Sequence, residues 1–147
     1  MSASESDLRR AIAVLDQYRA QLDALQRQAE IVQVGLEENL RARETAARYQ
    51  QAGPKAEILV PIGGNVFLVA QVRDSDRALT GIGSDVVVQE PIPAALERLD
   101  ARVRELRGAQ EAVARQIEEI ERRLEAQTEF VQGTYERLPR RAEPRRD

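Results

Sequence analysis

From Leu8 onward the chain carries an apolar residue at alternating intervals of three and four: Leu8, Ala11, Leu15, Tyr18, Leu22, Leu25, Ala29, Val32 and Leu36, closing on Asn39. Arg, Glu, Gln and Asp fill the positions between them. A repeat averaging 3.5 residues keeps one stripe of an α-helix facing a partner helix, so the pattern predicts one arm of a coiled coil. Ser4-Glu5-Ser6-Asp7 before it reads as a capping box, and Gly53-Pro54 after it as a stop, since Gly accepts the left-handed position past a helix end and Pro cannot continue the helix. The same spacing returns after Pro91 and Pro93, through Leu96, Leu99, Val103, Leu106, Gln110, Val113, Ile117, Ile120, Leu124, Gln127, Val131, Thr134 and Leu138, and ends at Pro139. Each patterned stretch amounts to roughly 45 residues, or about 70 Å of helix. Equal lengths predict an antiparallel hairpin, with Leu8 and Ile12 beside Phe130 to Leu138 at its far end. Gln110 and Gln127 read as polar seam positions that set register or are merely tolerated, the other reading being a role in opening the arm.

Between the helical stretches the period changes. Ile58–Ile62, Val66–Val72, Arg77–Gly81 and Val86–Gln89 are short runs rich in β-branched residues, bounded by turn formers. Gly63-Gly64-Asn65 and Gly83-Ser84-Asp85 supply residues that accept positive φ, which predicts two β-hairpins in tandem joined through Asp74-Ser75-Asp76. The runs do not alternate cleanly: Ile58, Val60 and Ile62 point one way while Leu59 points the other, and Val66 to Val69 is apolar on both faces. Strands of that kind need burial on both sides, and four of them in one chain leave edges and faces that the chain cannot cover. We therefore expect the segment to be an assembly device completed by strands of other chains, with Ile58, Val60, Ile62, Val66, Leu68, Val86 and Val88 at the oligomer interface.

Composition narrows the function. Aromatics are 3% and charged residues 32% of 147 residues, which suits long helices with narrow apolar seams better than a compact globule. With neither Cys nor His, the chain lacks thiolate and imidazole ligands and the usual nucleophile and base pairings. Neither Gly63-Gly64 nor Gly81-Ile82-Gly83 leads into the Lys-Ser/Thr of a phosphate loop. Asp74, Asp76 and Asp85 lack the closing Glu of a calcium loop. No catalytic residue, cofactor or metal is expected, and no enzyme. A net charge of −3 gives no sign of nucleic-acid binding. No signal-peptide h-region follows Met1 and no long apolar run could span a membrane, so a cytoplasmic location is expected. Arg140, Arg141, Arg145 and Arg146 make a basic tail with Glu143 and Asp147 among them, read as a solvated end, the other reading being a contact for an acidic partner.

The far end of the arms holds the remaining candidate chemistry. Phe130 and Tyr135 stand within the last helical turns before Pro139, opposite Leu8 and Ile12, and Phe130 lies off the seam while Val131 lies on it. Terminal turns fray, and apolar side chains exposed there bind other apolar surface. Leu8, Ile12, Phe130, Val131, Tyr135 and Leu138 are the candidate residues of a binding tip, the other reading being ordinary end-of-coil packing.

Two patterned arms, the double hairpin between them, and the runs Leu59-Val60-Pro61-Ile62-Gly63-Gly64-Asn65-Val66-Phe67 and Leu79-Thr80-Gly81-Ile82-Gly83-Ser84-Asp85-Val86-Val87-Val88 together resemble the alpha class of archaeal prefoldin subunits. The resemblance spans almost the whole chain, and its specificity lies in the strand segment. It implies an α+β fold, a long antiparallel two-helix coiled-coil hairpin whose two central β-hairpins join a β-barrel body. It also implies an ATP-independent holdase: a hetero-hexamer of two alpha and four smaller beta subunits, whose arm tips capture unfolded client proteins for a group II chaperonin. Pro91 before the second helix and Thr80 in a strand depart from the family pattern. The expected division is residues 1–53 as the first coiled-coil helix, 54–91 as the oligomerisation segment, 92–138 as the second helix and 139–147 as a disordered basic tail. The rival reading is a non-chaperone coiled-coil scaffold or tether, which gives no reason for strands apolar on both faces.

Overall fold

A computed structural model of the chain describes residues 3–138, so the Arg-rich segment from Pro139 onward, read above as a disordered tail, lies outside the described residues. In order it contains α1 (Ala3–Ala52), β1 (Glu57–Gly63), β2 (Val66–Gln71), β3 (Arg77–Gly83), β4 (Val86–Pro91) and α2 (Ile92–Glu136). Helix α1 already includes the Ser4–Asp7 stretch read as its cap. Glu5 in its first turn places a carboxylate where the helix dipole favours one. The helix stops at Ala52 with Gly53 at φ 75°, the left-handed geometry that a glycine adopts without strain.

The chain divides into two compact units. One holds the chain through Ile31 together with the chain from Gln110 onward, and the other holds Val32–Ala109. Both boundaries fall inside helices, so each unit takes part of α1 and part of α2, and the four strands lie wholly in the second.

In the first unit Ala11, Leu15 and Val113 are buried, and Leu22, Leu25, Ile117, Ile120 and Leu124 are half-buried along the seam. Gln127 belongs to that seam. Its Nε2 donates to the Ala11 carbonyl at 2.8 Å, a bond from one helix to the backbone of the other. A seam amide that finds a partner in only one alignment costs little in the correct register and is left unsatisfied in a shifted one.

In the second unit the seam continues through Val32, Leu36 and Val103, all buried. Gly35 faces Leu106, whose methyl carbons lie 3.6 and 3.7 Å from where a Cβ would be, so the helices approach closely there. Arg43 pairs with Asp100 across the helices. The same unit carries the strands as two separate two-stranded antiparallel sheets, β1 with β2 and β3 with β4.

The two hairpins repeat each other twenty residues apart. Glu57↔Gln71 through Gly63↔Val66 in the first matches Arg77↔Pro91 through Gly83↔Val86 in the second, with a register shift between Pro61 and Gly63 in one and between Gly81 and Gly83 in the other. Each reverses through two residues at positive φ, Gly64 (59°) with Asn65 (58°) and Ser84 (49°) with Asp85 (60°). Those angles belong to the primed turns whose twist suits flanking strands. The anchors match as well: the Val72 amide donates to the Ala56 carbonyl and the Ile92 amide to the Asp76 carbonyl, both at 2.8 Å, and both side chains are 3% exposed. Pro91 therefore closes β4 opposite Arg77, and α2 starts at Ile92.

Thr80, the polar residue in an apolar strand, has a specific setting. It lies diagonally across the hairpin from Glu90, on the same face. Glu90 Oε2 accepts from Arg98 Nε of α2 at 2.9 Å, and Arg102 Nη2 donates to the Gly81 carbonyl at 3.0 Å, so α2 holds the second hairpin by side-chain bonds. The Thr80 hydroxyl, and after it Arg98, hold the Glu90 carboxyl below its usual range. The Thr80 contact is loose, since Glu90 Oε1 is shielded from solvent without a hydrogen-bond partner of regular geometry. A carboxyl depressed in the folded state stabilises that state above its unfolded value of 4.5, and the contribution is lost as pH falls through the lower folded value. Thr80→Val should raise the Glu90 titration toward 4.5 and shift the acid loss of hairpin order to higher pH. Carbon NMR of the Glu90 carboxyl checks this, and an unchanged titration midpoint would contradict it.

Candidate functional site

Two surfaces of this chain carry unusual chemistry. The first is the pair of hairpins. In β1 and β2, Leu59, Val60, Ile62, Val66, Phe67, Leu68 and Val69 are all exposed. In β3 and β4, Leu79, Ile82, Val86 and Val87 are exposed, Leu79 at 75%. Neighbouring residues of a strand point to opposite faces, so Val66 to Val69 presents apolar side chains on both sides of its sheet. Within the second unit the face of Ala78, Thr80, Val88 and Glu90 is half-buried, with Arg98 and Arg102 of α2 bonded to that hairpin.

Of the expected interface residues, Val60, Ile62, Val66, Leu68 and Val86 are exposed, while Ile58 and Val88 are half-buried. Cross-strand pairing brings Val60 beside Leu68. Val88 pairs with Thr80. Leu59, Phe67, Val69 and Leu79, on the opposite faces, belong to the same exposed surface. Their signal in the sequence was the lack of alternation itself, which showed two faces rather than one.

The second surface lies where the beginning of α1 meets the end of α2, inside the first unit. Phe130 is 56% exposed and lines a cleft of about 470 Å³ with Asp7, Arg10, Ala11, Val14, Gln127, Thr134 and Arg137. Tyr135 (68%) and Ile12 (41%) are exposed but do not line that cleft. Phe130 and Tyr135 are five residues apart on one helix and so project about 140° apart. Leu8 and Val131 are half-buried in the seam, and Leu138, also half-buried, follows the end of α2 at Glu136. The six candidates thus share one end of the unit, with two of them in the seam, one just past the helix end and three exposed.

Sequence reasoning missed Arg10, Val14 and Arg137, which flank the seam and looked like ordinary solvated positions. It also missed the Glu90–Arg98 link, whose only trace was Thr80. Among the described residues no group of Asp and Glu is placed to hold a metal ion, and no helix is long and apolar enough to cross a membrane.

Comparison with known proteins gives these surfaces a context. The family model described as "Prefoldin subunit" matches residues 18–137. The chain is 31% identical over 129 residues to prefoldin subunit alpha of Methanospirillum hungatei JF-1, covering 88% of this chain and 83% of that one. It is 33% identical over 119 residues to prefoldin subunit alpha of Methanoculleus marisnigri, covering 76% and 79%. Among solved structures, the fold resembles a chain of filamentous PFD from Methanocaldococcus jannaschii, with TM-score 0.66, 17% identity and coverage of 80% and 95%. It also resembles the prefoldin beta subunit from Thermococcus strain KS-1, with TM-score 0.60, 18% identity and coverage of 90% and 95%.

Proposed function

Given that this chain belongs to the prefoldin family, as an alpha-class subunit of the archaeal kind and so a subunit of a molecular chaperone, we propose how its two surfaces divide the work. The hairpins assemble the complex and the end of the first unit captures unfolded protein. The family is not one of enzymes, and the work is binding. Two alpha chains and four smaller beta subunits join through their strands in a hetero-hexamer, in the cytoplasm, and captured clients pass to a group II chaperonin without nucleotide.

The observation that carries the assembly reading is the exposure of apolar side chains on both faces of both hairpins. Contiguous apolar surface of this kind marks an interaction site, and each two-stranded sheet also offers unpaired backbone edges. Several apolar ends in one complex then bind one unfolded chain with an avidity that no single end has, and weak individual contacts permit release.

Tagging the chain in its own cells and taking the native mass of what co-purifies tests this reading. We expect a six-chain complex with two copies of this chain and four of a smaller helical-hairpin protein. A stable monomer or homodimer lacking partners would show that the hairpins close on themselves, and would favour a coiled-coil tether instead.

A further inference from the structure

The cleft beside Phe130 combines apolar and cationic lining. Phe130, Val14 and Ala11 supply the apolar groups, and Arg10 and Arg137 the cationic ones. Among the described residues neither guanidinium forms an ion pair, and Asp7, the one carboxylate lining the cleft, forms none either. Two guanidinium groups against one carboxylate leave the cleft a net cation. The Arg137 guanidinium lies beside Gly133, one turn away, with Nη2 3.7 Å from where a Cβ would stand.

We infer that this cleft selects, among unfolded segments, those that present an apolar side chain next to a carboxylate. The inference rests on the reading that this end of the unit captures clients, and it names the class of client. The apolar side chain packs on Phe130 and Val14, and the carboxylate of a client Asp or Glu accepts from Arg10 and Arg137. A guanidinium presents paired donors in a planar fork that matches a carboxylate. The whole chain carries a net charge of −3, so its general field attracts basic segments. A preference of this chain for acidic segments would therefore run against its general field and point to a local site.

The test uses the complete complex, full-length chain with its partner subunits, and fluorescent peptides sharing one Phe-Leu core flanked by Glu, Gln or Lys. In about 50 mM salt the Glu-flanked peptide should bind about fivefold tighter than the Lys-flanked one, and the gap should narrow at about 300 mM, as expected for exposed charge pairs under screening. Arg10→Gln with Arg137→Gln should remove the preference, bringing the Glu-flanked, Gln-flanked and Lys-flanked peptides to within about twofold of one another. Replacing Arg140, Arg141, Arg145 and Arg146 with Gln should leave the preference in place. Equal or tighter binding of the Lys-flanked peptide overturns the inference. So does a preference that survives the Arg10/Arg137 variant, including the case in which that variant loses chaperonin binding instead, or one that vanishes with the tail substitutions alone. Phe130→Ser separates the two levels: if the Gln-flanked peptide binds that variant as tightly as the original, capture at this end is itself wrong.

Discussion

Phe130→Ser with Tyr135→Ser should abolish most of the suppression of client aggregation while leaving the native mass of the complex unchanged. Both side chains are more than half exposed, so little of their area contributes to the folded unit, and removing them should cost little stability. An aromatic side chain that becomes buried against a client contributes about 2 kcal/mol per contact, some thirtyfold in affinity. In the multivalent capture proposed above, the loss would compound over the alpha chains of one complex. Adding Val131→Ser deepens the loss but also opens the seam, where Val131 is half-buried, so the double variant is the cleaner measurement. Light scattering of a denatured, diluted client with and without the variant complex reads the result. Undiminished protection by the double variant, with its two aromatic side chains gone, would place capture elsewhere.

Leu68→Asp with Val86→Asp should leave the helices folded and the chain unassembled. Leu68 is 53% exposed and Val86 50% exposed, on different hairpins, so neither substitution removes much packing within the chain. Inside an assembled body each site would lose an apolar contact of about 2 kcal/mol and bury an unpaired carboxylate at a cost of several more. Together these lower the assembly constant by roughly a thousandfold or more. Native mass spectrometry and far-ultraviolet circular dichroism together decide it. A six-chain complex formed by the variant would show that these faces remain in solvent.

Much of this architecture is written in the spacing of side chains. Each seam residue from Leu8 to Asn39 and from Leu96 to Thr134 is buried or half-buried, because a helix of fixed pitch turns a three-four interval into one stripe regardless of context. The two reversals are local too, since Gly64-Asn65 and Ser84-Asp85 meet a φ requirement that their own side chains satisfy. Strand limits were less legible: β1 runs from Glu57 to Gly63 rather than from Ile58 to Ile62, and Val72 leaves the ladder to anchor on the Ala56 carbonyl. A hydrogen-bond partner, not a propensity, ends a strand.

What the sequence determined alone was which residues face a partner helix, where the chain reverses, and that its strands carry more apolar surface than one chain can cover. Only the tertiary structure decided what stands beside the seam. Phe130 and Tyr135 are close in sequence, yet one shares a cleft with Arg10, Val14 and Arg137 while the other does not. Glu90 and Arg98 meet only because Pro91 closes the second hairpin as α2 begins. Periodicity fixes the direction of a side chain about its own axis. Which groups from a second element share that direction depends on how the two elements pack, and no interval within either one records it.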